Sequence, residues 1–198
     1  MNCTKRLSLW FEKYLSGRLV LATTTLVFVL FMALVLPFMA QSALEATGTA
    51  RSPDTSLFYS ASQLYEMAEA YGQQGREHYI RARFTFDLAW PLAYLAFLTS
   101  ALSFLLVSLT KSSWRQLNLL PLGGFVFDLL ENSGASLVMY RYPQRTPVIE
   151  HLAGVFTLLK WVFIGAAFAA LVGGLVLLLM WKIRRSHGDG SAVNKESR

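Results

Sequence analysis

The sequence predicts an all-α protein: a four-transmembrane-helix bundle with both termini in the cytoplasm (N-in/C-in) and a helical extracytoplasmic cap. Four observations carry this. The 198 residues are 54% hydrophobic with a mean hydropathy of +0.41. The apolar residues gather in four blocks of about 20 residues or more, the span of a bilayer core. The links between the last three blocks, 110–116 and 141–147, are short, which makes those helices antiparallel neighbours. Lysine and arginine, finally, crowd the ends of the blocks on one side.

Residues 1–18 set Leu7, Leu9, Trp10, Phe11, Tyr14 and Leu15 among basic side chains, a pattern suited to a short helix in the headgroup layer. The first span covers about 19–39, with Pro37 near its far end. Its apolar run Leu19–Leu36 exceeds the roughly 7–15 residues of a signal-peptide core, so it reads as a retained signal anchor. Residues 41–83 are the sizeable soluble segment. Ser52-Pro53-Asp54 looks like a helix start, a cap followed by a first-turn proline. Leu57, Leu64, Tyr65, Ala68 and Tyr71 then recur at helical spacing; Gly72 and Gly75 punctuate, and a second helix from Arg76 runs into the second span. The segment reads either as a solvated loop with one amphipathic helix or as a lid over the bundle.

The remaining spans cover about 84–109, 117–140 and 148–181, which makes 1–181 a single membrane domain. The basic, polar, glycine-containing stretch 182–198 is expected to be a disordered cytoplasmic tail. Lys5, Arg6, Lys13, Arg18, Lys111, Arg115, Lys182, Arg184 and Arg185 mark the cytoplasmic side. This places 41–83 outside and the chain in a plasma membrane, the bacterial inner membrane, as a multi-pass protein. The net charge of +6 sits at the membrane flanks and requires no nucleic-acid partner. One cysteine, Cys3, excludes an intrachain disulfide.

The third span is anomalous. It carries Asp128, Glu131 and Asn132. An ionisable residue at the centre of such a helix costs about 2.5–3.5 kcal/mol on insertion scales. Their i, i+3, i+4 spacing puts all three on one helix face, which Gly124 and Ala135 extend. Two carboxylates so close disfavour double ionisation, so the pair suits acid–base work or cation binding. On the fourth helix, Glu150, Ala153, Thr157 and Lys160 share a face. Lys160 is the candidate counter-ion, with a lysine snorkelling beside Trp161 as its alternative. A purely structural knot of Asp128, Glu131, Asn132 and Lys160 stays open beside the functional reading.

In Asp87-Leu-Ala-Trp-Pro91, the proline frees the carbonyl of Asp87. Asp87 and Tyr94 thereby become candidates for the rim of a site. Trp90 and Trp161 mark the outer boundary, Trp114 and Trp181 the inner. Against these markers Asp87 lies outside, Lys160 level with the boundary, Glu131 a turn inside, and Asp128 deepest, about 10 Å down at about 1.5 Å per residue. The inner half offers only hydroxyls such as Thr23, Thr24, Thr25, Ser100 and Ser103. Polar stations that stop halfway favour an outward-facing pocket over a channel, leaving ion or proton transport as a lesser alternative. The candidate ligand is small or lipid-like. Catalytic roles fall to Asp128 and Glu131, and ligand-binding roles to Asp87, Tyr94, Asn132 and Lys160. No metal set is expected, His151 being alone, and no pattern specifies a cofactor.

Gly165, Ala169 and Gly173 form one small-residue stripe and Ala166, Ala170 and Gly174 another. They suit close helix packing within the bundle or against a homo-oligomeric or other membrane partner, the basis of the alternative of a non-catalytic accessory or assembly protein. Phosphate loops, HExxH and Ser-His-Asp arrangements are absent.

Tyr71-Gly-x-x-Gly75-Arg76-x-x-Tyr79, Asp87-x-x-x-Pro91-x-x-Tyr94, Pro121 with Asp128-x-x-Glu131-Asn132, and Lys160-Trp161 together resemble an uncharacterised family of small bacterial four-helix integral membrane proteins. The likeness covers about residues 55–180. It implies the bundle but no activity.

Overall fold

The computed structural model describes residues 2–49, 51–109 and 114–196, with side chains to Ile183. The described residues are helical, without strands. Three helical stretches are long and apolar enough to cross a membrane: Arg18–Thr47, Gly72–Leu109 and Ile149–Ile183.

Helix α1, Cys3–Leu15, does not simply float beside the bundle. Its polar face is the buried one. Ser8 and Glu12 turn inward, while Trp10 and Tyr14 stay about half exposed. Glu12 pairs with Arg115 at 3.3 Å, and Asn118 Nδ2 donates to the Ser8 carbonyl at 3.2 Å.

The first apolar stretch is one continuous rod. Helix α2, Arg18–Leu30, passes through a π-helical turn, Phe31–Val35, into α3, Leu36–Thr47. Pro37 therefore does not break the rod. Pro37 cannot donate an amide bond and its ring crowds the turn behind it, so the chain widens there and continues. The rod ends at Thr47, eight residues beyond the expected boundary of 39, and Gly48, with a left-handed φ of 68°, closes the helix onto the Leu44 carbonyl.

The helix expected to start at Ser52-Pro53 is only a 3-10 turn, Pro53–Thr55. The side chains that would cap it are engaged elsewhere: Ser52 bonds Asp54, and Asp54 pairs with Arg83. Helix α4, Ala61–Ala70, starts instead at a capping box, in which the Ser60 hydroxyl accepts from the Gln63 amide and the Gln63 side chain from that of Ser60. Helix α5, Gly72–Arg83, begins four residues before the expected Arg76, at Gly72 with φ of 61°. After a two-residue break it leads into α6, Phe86–Leu109.

A 3-10 segment, Trp114–Leu119, precedes α7, Leu120–Arg141. Lys111, one of the expected cytoplasmic markers, lies outside the described residues. Helix α8, Ile149–Glu196, packs along α7. Gly124 allows the approach, since a Cβ there would sit 2.8 Å from Ile164 Cγ1. The backbone stays helical to Glu196; the side chains of the expected tail from Arg184 on lie outside the described residues.

Two cores result. Tyr59, Leu64, Met67, Ala68, Tyr71 and Tyr79 from the 48–83 region pack onto Ala135, Val138, Met139 and Ala153 at the ends of α7 and α8. Burial pushes the Tyr59 phenol well above its ordinary pKa, and neighbouring Glu131 adds to this. Deeper, Leu98, Leu102, Leu106, Ile164 and Ala167 form the second core, with Phe28 stacked between Phe97 (4.5 Å) and Trp90 (5.6 Å). The small-residue stripes separate: Gly174 meets Leu105, whereas Gly165 and Gly173 face nothing within 4 Å.

Candidate functional site

The polar face of α7 points into the bundle. Asp128, Glu131 and Asn132 are 5%, 0% and 3% exposed. Helical spacing aligns them, and the small residues around them let α8 approach closely. From α8, Lys160 reaches Glu131 Oε2 at 2.5 Å and Asp128 Oδ1 at 3.8 Å. From α6, the Tyr94 hydroxyl donates to Asp128 Oδ2 at 3.1 Å. Asn132 Nδ2 donates to Asp128 Oδ1 at 3.3 Å. Asp128 is thus the hub, held from three helices. Tyr94, Asp128, Glu131, Asn132 and Lys160, all singled out from sequence, form one cluster. Asp87 stands apart from that contact network.

Asp87 belongs to a second cluster nearer the 51–60 segment. Arg83 Nη2 lies 3.2 Å from Asp87 Oδ2, and Arg83 Nη1 bonds Asp54. Arg83 also lies over the Tyr79 ring, 4.5 Å from its centroid. Neither Arg83 nor Asp54 is evident as a site residue in the sequence. Arg83 precedes Asp87 by four residues, a pairing distance on a helix. That was the available signal, obscured because the residue also fits a topological flanking charge. Asp54 lies on a loop, and no local pattern points to it.

A cavity of about 820 Å³ joins the two clusters. Asp54, Arg83 and Asp87 line one part, Tyr94, Asp128, Asn132 and Lys160 another, and its apolar walls include Met32, Leu36 and Met39 together with Ile164 and Phe168. This is within the usual size of ligand pockets, about 300–1,000 Å³. Glu131 is absent from the wall. It pairs with the Lys160 ammonium without lining the cavity itself. The 51–60 strap lines part of the cavity and is tied by Asp54 to Arg83, by the Ser56 carbonyl accepting from Trp161 Nε1 at 3.0 Å, and by the Arg51 carbonyl accepting from the Tyr71 hydroxyl at 2.8 Å.

Glu150, expected on the Lys160 face, belongs to a separate knot. Its Oε2 lies 3.1 Å from the Tyr65 hydroxyl and 3.1 Å from the Thr146 amide, and Arg145 is 3.4 Å from Oε1. His151 is largely exposed, 3.8 Å from Glu150. Two of the threonine hydroxyls bond their own helix, Thr24 to the Val20 carbonyl and Thr25 to that of Leu21. Thr24 meets Ser100 at 2.7 Å and Ser103 meets Asn118 at 3.1 Å, two interhelical links. Among the described residues no cluster of three His, Cys, Asp or Glu side chains could hold a metal ion.

Fold and site together define a class: an all-helical protein with three membrane-length apolar helices and a cavity lined by both apolar and ionic side chains. No protein-family model matches the chain, and neither a curated protein nor a solved structure matches it.

Proposed function

We propose that this chain is a four-span protein of the bacterial inner membrane with both termini cytoplasmic, and that its extracytoplasmic segment covers a pocket that binds or acts on a small or lipid-like molecule. The observation that carries the reading is the 820 Å³ cavity, apolar along one side and ionic at its end. Helix α7 supplies the fourth span. Its 22 residues extend about 33 Å, enough for a hydrocarbon core of about 30 Å. Its inward carboxylates lower its average hydropathy, yet its outward residues Val126, Leu130 and Leu137 are apolar and exposed.

Asp128 and Asn132 meet the ligand, Lys160 serves as counter-ion, Asp87 and Tyr94 shape the rim, and Glu131 acts through Lys160. Access is lateral as well as from outside. Met32, Leu36 and Met39 from the α2–α3 rod line the cavity together with Ile164 and Phe168 of α8, and α2–α3 packs chiefly on α6 and α5. Native mass spectrometry of the full chain in mild detergent tests the reading. A small molecule should co-purify and be lost from Ala43→Trp, which fills the cavity, while folding persists. Identical co-purification by that variant would overturn it.

A second reading, an accessory or assembly protein without catalysis, is favoured by the outward stripe of Gly165, Ala169 and Gly173. A stable partner co-purifying with wild type but not with Gly165→Leu would support it.

A further inference from the structure

We propose that the cavity takes an amphiphile with a cationic amine head, its ammonium facing Asp87, Asp128 and the side-chain oxygen of Asn132; this rests on reading the cavity as a binding pocket.

Charge is the first ground. Four carboxylates, Asp54, Asp87, Asp128 and Glu131, are gathered around two cations, Arg83 and Lys160. Fully ionised, the cluster carries two negative charges in excess. The cations are also unevenly shared. Lys160 sits 2.5 Å from Glu131, off the wall, but 3.8 Å from Asp128, on it. Arg83 bonds Asp54 more closely than Asp87, which it meets at 3.2 Å. In each cluster the carboxylate with the looser ion pair lines the cavity, without its rival Glu131 in the first and beside Asp54 in the second. An ammonium there would complete both pairs, whereas an anionic head would add to the repulsion.

The second ground is independent of charge. Asn132 is 3% exposed, lines the cavity and leaves its Oδ1 without a hydrogen-bond partner. Its orientation is fixed, because Nδ2 donates to Asp128, and a carboxylate can only accept. The free atom is therefore an acceptor, and a buried acceptor left unpaired is costly. An ammonium brings three donors. The apolar side of the cavity, with Met32, Leu36 and Phe168, would take the tail.

The full chain in phosphatidylcholine nanodiscs would be titrated with a long-chain primary amine, and with the alcohol and the carboxylate of the same chain length. Ala43→Trp serves as the cavity-filled reference that corrects for partitioning into lipid. Wild type should bind the amine about tenfold or more tightly than the alcohol, as expected for a ligand charge completing a buried pair. Asp128→Asn should abolish that preference while retaining alcohol binding. If that variant fails to fold, Asp87→Asn, nearer the 51–60 segment, reads the same preference. Equal binding of amine and alcohol by wild type, or preferred binding of the carboxylate, overturns the amine assignment and leaves the pocket standing. Absence of binding by all three probes beyond the Ala43→Trp reference overturns the assignment and the pocket together.

Discussion

Glu131 and Lys160 form a buried ion pair, 2.5 Å apart, with neither side chain more than 5% exposed. The pair joins α7 to α8 and turns the lysine toward Asp128. Because Glu131 is off the cavity wall, it neutralises and positions without meeting a ligand. Removing one partner from such a pair strands a charge, whereas replacing both does not.

Lys160→Met should therefore destabilise the protein by about 3–5 kcal/mol. The double variant Lys160→Met with Glu131→Gln should recover much of the loss. Thermal unfolding in a single detergent, followed by circular dichroism, reads both. Equal losses in single and double variants would show that the pair is not the source.

Tyr94→Phe removes the phenolic donor to Asp128, leaving a buried carboxylate oxygen short of a partner. The expected cost is about 1–3 kcal/mol. Tyr140→Phe, at a largely exposed position, should change the same melting curve little. A similar shift in both would remove the special role of the hydrogen bond.

Gly154 lies where the strap crosses α8, and a Cβ there would collide with the Tyr59 carbonyl oxygen. Gly154→Ala should lift the strap and cost about 1–3 kcal/mol. At Gly165 the same change meets nothing within 4 Å and should be nearly neutral. Hydrogen exchange over 49–60 should quicken only in the Gly154 variant. Unchanged exchange there would contradict the close approach.

Arg83 secures the strap through Asp54. Arg83→Gln should increase protease cleavage within 49–60 in right-side-out vesicles without altering total helicity. The same cleavage in wild type would mean that the latch holds nothing.

Orientation can be tested by labelling with a membrane-impermeant maleimide. In intact spheroplasts, Glu66→Cys in a Cys3→Ser background should be modified, and native Cys3 should react only after lysis. The reverse pattern would invert the proposed topology.

The helices at the centre of the site were legible in the sequence for local reasons. Asp128, Glu131 and Asn132 share a face because the helical repeat fixes it, and Lys160 stood out as a cation in an apolar run. In the strap, Ser52-Pro53-Asp54 has a helix-start pattern but forms only a 3-10 turn. That local preference lost to a long-range pairing of Asp54 with Arg83 and to the stronger capping box at Ser60. Helix α1 was likewise read from its aromatic residues, but which face it buries depends on Arg115 and Asn118, more than a hundred residues away.

The sequence by itself determined the helical class, the membrane-length apolar stretches and the single polar face of α7, since hydropathy and the 3.6-residue repeat act over a few neighbouring turns. Only the tertiary structure decided that Asp87 joins Arg83 and Asp54, that Glu131 pairs with Lys160 off the wall, and that a cavity connects the two clusters. Those relations depend on the distances between helices far apart in the chain, and no local pattern encodes a distance of that kind.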